Sequence, residues 1–153
     1  MEAVNYFLGL VIIFAGIITG MILAFIAKEE LKPGKKYILL FQKVLLSLIF
    51  VISISYSGHI ALSIVLSAVL VYLFIFKFPF NDKLTYCVFG FIYFMFANNF
   101  KLIIPLSVMM FLYGFPTGSL IAETDEDYKS VIKNITYRYI WIIIIGLALY
   151  LVI

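Results

Sequence analysis

The residue types able to do chemistry in this chain are few, and they are unevenly spaced. Glu123, Asp125, Glu126 and Asp127 form the densest group, an acidic run that could attract a divalent cation or, with nearby lysines, support lipid chemistry at a membrane face. Thr124 followed by Asp127 also has the form of a capping box, and carboxylates suit the positive end of a helix dipole. That structural role is the one expected, so neither a metal nor any other cofactor is expected. His59 is the single histidine and Cys87 the single cysteine. One of each cannot build a zinc set, and a lone cysteine excludes an internal disulfide. Serine-histidine catalysis would require His59 to reach inward from a peripheral turn. The balance is against an enzyme, and a lipid-modifying membrane enzyme is the third of three readings.

Gly114-Phe115-Pro116-Thr117-Gly118-Ser119, with Pro105 upstream, is the most distinctive run. Proline removes a backbone donor and glycine accepts unusual dihedrals, so the helix carrying the run is expected to kink or unwind there. Irregular backbone at membrane depth is tolerated only where protein or a water-filled cavity covers it, and freed amides can then bind an anion or substrate. A plain kink is the alternative. No Gly-Lys-Ser/Thr follows, so the run is not a P-loop. Hydroxyls at Ser53, Ser55, Ser57, Ser63 and Ser67 either line a polar path or bond to preceding carbonyls and neighbouring helices. Ser53, Ser63 and Ser67, together with Gly114, Pro116, Thr117, Gly118 and Ser119, therefore form the candidate substrate or ion path. Gly16, Gly20 and Ala24 recur every four residues and so share one helix face, a surface for close approach of a neighbouring backbone. Its expected use is packing inside one bundle, with a dimer contact as the rival.

These residues have to be held by membrane helices. The chain is 65% hydrophobic and 12% charged, against about half and about a quarter in soluble domains. Apolar runs place spans near 4–27, 37–57, 60–78, 84–98, 102–121 and 138–153. The expected fold is an all-α polytopic transmembrane bundle over a single domain, 1–153, with six spans. The run 84–98 rises only about 22 Å against a hydrocarbon core of about 30 Å, so four crossings plus a re-entrant pair is the alternative. Tyr128, Val131, Ile132 and Ile135 repeat at helical spacing and predict a short amphipathic helix before the last span. Asn98 and Asn99 are expected to cap or turn the end of the fourth.

The loops carrying Lys28, Lys32, Lys35 and Lys36, then Lys77 and Lys83, then Lys129, Lys133 and Arg138 belong on the cytoplasmic side, which leaves both termini outside. Glu2 precedes the first apolar run and the lysines follow it, so that run reads as a retained span rather than a cleaved signal. Tyr6, Tyr37, Tyr86, Tyr137, Tyr139 and Trp141 fall near span ends and are expected to sit at headgroup level. No Asp or Glu lies within a predicted span, which argues against intramembrane proton coupling and an aspartyl protease pair.

The first functional expectation is a non-enzymatic subunit or scaffold of a membrane complex. The second is a small channel or transporter for a small neutral or anionic solute. The partners expected are the lipid bilayer and other membrane subunits or further copies of the chain. No basic face suits nucleic acid, and the plasma membrane is the expected location.

Overall fold

A computed structural model of the chain describes residues 3–55, 82–124 and 128–152. Six helices account for nearly all of them: α1 (Ala3–Ile26), α2 (Lys28–Ser55), α3 (Asp82–Met95), α4 (Phe100–Thr124), α5 (Tyr128–Tyr139) and α6 (Trp141–Val152). No strand occurs among the described residues. Among the described residues, four stretches are long and apolar enough to cross a membrane: Tyr6–Ile26, Lys28–Ser55, Lys101–Glu123 and Tyr128–Leu151. With backbone polar groups satisfied inside each helix, such segments suit hydrocarbon, and the chain has the make-up of a multi-pass membrane protein.

Several boundaries differ from those expected. The segment 28–36 is not a loop, because α2 begins at Lys28 after a turn at Ala27, whose amide donates to the Leu23 carbonyl at 2.9 Å. Glu29 and Glu30 stand in the first turn of α2, where carboxylates favour a helix start. Pro33 lies near that start on the exposed surface, so the Glu29 carbonyl it leaves without a helical donor can reach water. The run at 84–98 is shorter still than expected: α3 has 14 residues and rises about 21 Å at about 1.5 Å per residue. Phe96, Ala97 and Asn98 then turn the chain, and the Asn99 carbonyl accepts the amides of Leu102 and Ile103 at the start of α4. The expected span 60–78 lies outside the described residues.

The amphipathic helix is present as α5, which buries Val131, Ile135 and Tyr139. Tyr128 and Ile132 are exposed, although the Tyr128 ring meets Phe25 at 5.3 Å. Only Ile140 separates α5 from α6, and its amide still donates to the Thr136 carbonyl at 3.1 Å, so the last apolar stretch begins well before residue 138.

α4 is the central element. It makes its most extensive contact with α1 and its next with α2, while α1 and α2, although consecutive, barely touch. α3 and α6 pair with each other, and α6 also meets α1. The tyrosines divide by what their neighbours offer. Tyr37, Tyr137 and Trp141 are exposed, whereas Tyr6, Tyr86 and Tyr139 are buried instead of sitting at headgroup level. Tyr6 shows the reason: its hydroxyl donates to the Gly146 carbonyl at 3.1 Å and its ring stacks on Tyr150 at 4.7 Å, which gives both its polar and apolar parts partners inside the bundle.

Candidate functional site

The candidate residues on α4 separate onto two faces. Gly114 and Gly118 face Gly16 and Gly20 of α1, and the two pairs share the spacing of four that lines residues up on one side of a helix. A Cβ at Gly16 would run into the backbone carbonyl of Phe111, and one at Gly20 into that of Phe115. Conversely, a Cβ at Gly114 would meet the backbone of Gly16 and Ile17, and one at Gly118 the Ile17 carbonyl. The helices therefore meet backbone against backbone, which maximises dispersion contact where lipid supplies no hydrophobic drive to association. Ala24 is buried one turn beyond Gly20, and the Ser119 hydroxyl ties the seam by donating to the Gly20 carbonyl at 3.0 Å.

The expected unwinding at Gly114 to Ser119 does not occur. α4 is helical from Phe100 to Thr124 with both Pro105 and Pro116 inside it. Proline takes away an amide rather than freeing one, and the glycines that would allow a break are clamped against α1. The run consequently offers no row of free amides for an anion.

On the other side of α4, Tyr113 and Thr117 face α2. Gln42 is 1% exposed there, and its amide Nε2 donates to Thr117 Oγ1 at 2.9 Å and to the Tyr113 hydroxyl at 3.3 Å. Thr117 Oγ1 donates in turn to the Tyr113 carbonyl at 3.0 Å, so it gives one bond and accepts another. An aromatic cluster continues from this point. Tyr113 lies 5.0 Å from Phe89 and 5.7 Å from Tyr86, and Tyr86 lies 4.8 Å from Tyr139. Side chains of α3, α4 and α5 thus form one aromatic cluster, to which Gln42 of α2 is joined through the Tyr113 hydroxyl. Gln42 is absent from the residues that the sequence pattern singles out because Lys43 beside it carries the only charge of the run; an amide within a long apolar helix was the available signal.

Of the remaining path serines, Ser53 is described and does not join this group. Ser53 lies 11 residues beyond Gln42 on α2, about 16 Å along the axis at about 1.5 Å per residue, and its hydroxyl donates to the Ile49 carbonyl at 2.7 Å. Ser63 and Ser67 lie outside the described residues, as do His59, Asp125, Glu126 and Asp127. Ser47, Ser107 and Thr19 likewise bond to carbonyls four residues back. Glu123 pairs with Lys35 at 3.0 Å, which joins the end of α4 to the start of α2. Among the described residues no group of three His, Cys, Asp or Glu could hold a metal.

Pro116 and Ser119 also line an open groove of about 330 Å³ between α2 and α4, together with Tyr37, Ile38, Phe41 and Phe115. A smaller recess of about 100 Å³ between α1 and α5 is lined mostly by apolar side chains, including Ile18, Met21 and Ile132. An amide, a phenol and an alcohol offer hydrogen bonds at the centre of the bundle, but none of them is a base near neutral pH. Comparison with family models, with curated proteins and with solved structures finds no match to this chain.

Proposed function

We propose that the protein is a non-enzymatic subunit or scaffold of a membrane complex. The observation that carries this reading is where the interior polar side chains are used. Gln42, Thr117 and Tyr113 bond to one another, Ser119 bonds across to α1, and Ser53 bonds within its own helix. Hydroxyls that satisfy neighbours inside a bundle fix helix positions, which suits a part whose role is to hold shape. The six-crossing arrangement in the plasma membrane, with the lysine-bearing end cytoplasmic and both termini outside, belongs to the same proposal. Its support is the positive-inside bias and the Lys35–Glu123 pair, which gathers two of the charged segments at one end of the bundle.

A scaffold needs a protein neighbour on one of its outward faces. Photo-crosslinking residues placed singly at Leu8, Ile12, Leu40, Val44, Ile104 and Val108, all exposed, should yield protein adducts in native membranes from one helix face and lipid adducts from the others. Lipid adducts at every position would overturn the reading.

The second reading, a small channel or transporter for a small neutral or anionic solute, is favoured by the Gln42, Tyr113 and Thr117 cluster, the kind of hydrogen-bonding group a buried solute site uses. It predicts solute flux into vesicles reconstituted with the full chain, reduced in Gln42→Leu.

A further inference from the structure

The last apolar stretch is polar on one side, at a depth where hydrocarbon offers no hydrogen-bond partner. α5 and α6 run antiparallel to α1 along its length: the Tyr128 ring meets Phe25, Ile132 and Ile135 line one recess with Ile18 and Met21, and the Tyr6 hydroxyl reaches the Gly146 carbonyl. α1 is apolar from Tyr6 to Ile26 and exposes Ile18, Ile22 and Leu23 at the level of α5, so α5 stands in the same hydrocarbon layer. Its buried side carries Val131, Ile135 and Tyr139. On the other side Ser130, Lys133, Asn134, Tyr137, Arg138 and Trp141 follow the three- and four-residue intervals of one helix face, and all but Asn134 are exposed. The turn at Ile140 does not rotate this face away, because the amides of Ile140 and Ile144 keep their bonds to carbonyls four residues back. At about 1.5 Å per residue Arg138 lies about 15 Å from Tyr128 and Trp141 about 20 Å, both near the middle of the stretch Tyr128–Leu151. Rings such as these suit the headgroup level, and an ionised side chain at mid-depth needs a partner in protein or water. Arg, Tyr and Trp are also the residue types that carry most of the energy where proteins meet.

We propose that this face docks a membrane helix of a partner subunit, one that carries a carboxylate at the depth of Arg138 and packs against Tyr137 and Trp141. Such docking rests on the subunit reading given above and names the surface it uses. Charge decides the occupant. Among the described residues no carboxylate pairs with Arg138, and the chain's own run 56–81 contains no Asp or Glu. A second copy inserted the same way round, related by a twofold axis along the membrane normal, would set Arg138 against Arg138. A phospholipid keeps its phosphate at the headgroup level, within reach of Lys133 near the start of the stretch but shallower than Arg138.

The probe is a synthetic leucine–alanine helix without tryptophan, long enough to span the bilayer, with one Glu at the depth of Arg138 and a dansyl group beside it; matched peptides carry Gln or Leu in place of the Glu. Trp141 is the chain's only tryptophan and stands on the face itself. Energy transfer from it to dansyl therefore reports binding in phosphatidylcholine vesicles that hold the full chain. The Glu peptide should bind about tenfold more tightly than the Gln peptide, the scale of one polar contact between membrane helices. Arg138→Gln should remove that preference and Arg138→Lys should keep part of it. Lys101→Gln, the same loss of charge at the start of α4, should leave it whole, as should Asp82→Asn at the start of α3. Circular dichroism confirms the same helicity in each variant. Equal binding of the Glu and Gln peptides by the parent would overturn the proposal, as would a preference that survives Arg138→Gln. A preference that emerges only in Asp82→Asn would overturn it too, since the chain's own acid would then be the partner of Arg138. Protein adducts at the apolar positions of α1, α2 and α4 would in those cases leave the subunit reading standing on a different surface.

Discussion

The two sides of α4 hold their neighbours by different physics. Toward α1 the contact is made by what is missing: four glycines without side chains let backbones meet, and each lacks room for even one more carbon. Toward α2 the contact is made by what is present, a buried amide that finds a hydroxyl and a phenol, and beside it the surfaces part to leave a groove. The first arrangement tolerates almost no change and uses few polar bonds. The second tolerates changes of shape but needs its partners, since an amide in a low-dielectric interior is costly when unpaired. One helix thus carries a seam held by close backbone contact and a seam held by polar side chains.

The difference can be broken most forcefully on the glycine side. Gly118→Leu would drive a side chain into the Ile17 carbonyl and should cost about 3 kcal/mol or more, read as loss of monodisperse protein or a collapsed unfolding midpoint in detergent. Gly34→Leu provides the contrast, because nothing lies within 4 Å of a Cβ there, and it should leave the midpoint in place.

On the polar side, Gln42→Leu and Thr117→Val should each destabilise modestly. The double-mutant cycle should give a coupling of about 0.6 kcal/mol and at most about 1.7 kcal/mol, the range of hydrogen bonds between membrane helices. Reversible unfolding in mixed micelles measures it.

Ser119→Ala removes the bond to Gly20 while leaving the glycine contacts intact, and should cost no more than about 0.6 kcal/mol. A larger loss would mean that the glycine seam also depends on polar bonds. A comparably small effect belongs to Lys35→Gln: the pair with Glu123 has its lysine half exposed, so about 0.2–1 kcal/mol is expected. That effect should fade when thermal unfolding is repeated at high salt.

The helical, membrane-spanning character of the chain was legible from its apolar runs, as was the amphipathic turn pattern around Val131 and Ile135. What a run does once it meets its neighbours was not. Gly16 and Gly20 read as a face because nothing interrupts their period, whereas Gly114 and Gly118, with the same period, read as a break because Pro116 stands between them. The two pairs prove to be halves of one contact, and a period identifies a face without naming its mate. Tyr6, Tyr86 and Tyr139 mislead for a related reason: a ring with one polar atom fits a headgroup layer or a buried carbonyl equally well, and only Gly146 in reach of Tyr6 decides between them. Gln42 stayed hidden because its importance comes from Thr117 and Tyr113, more than 70 residues away along the chain.

The central claim is that the Gln42, Tyr113 and Thr117 cluster is closed off from water by protein. In a Cys87→Ser background, Thr117→Cys and Lys101→Cys are exposed in turn to a membrane-impermeant thiol reagent in native membranes. Lys101 is exposed on the same helix and Thr117 is fully buried, so the cysteine at 101 should label readily and the one at 117 should stay protected. Labelling at 117 as fast as at 101 would mean that water reaches the centre of the bundle, and would contradict the sealed arrangement.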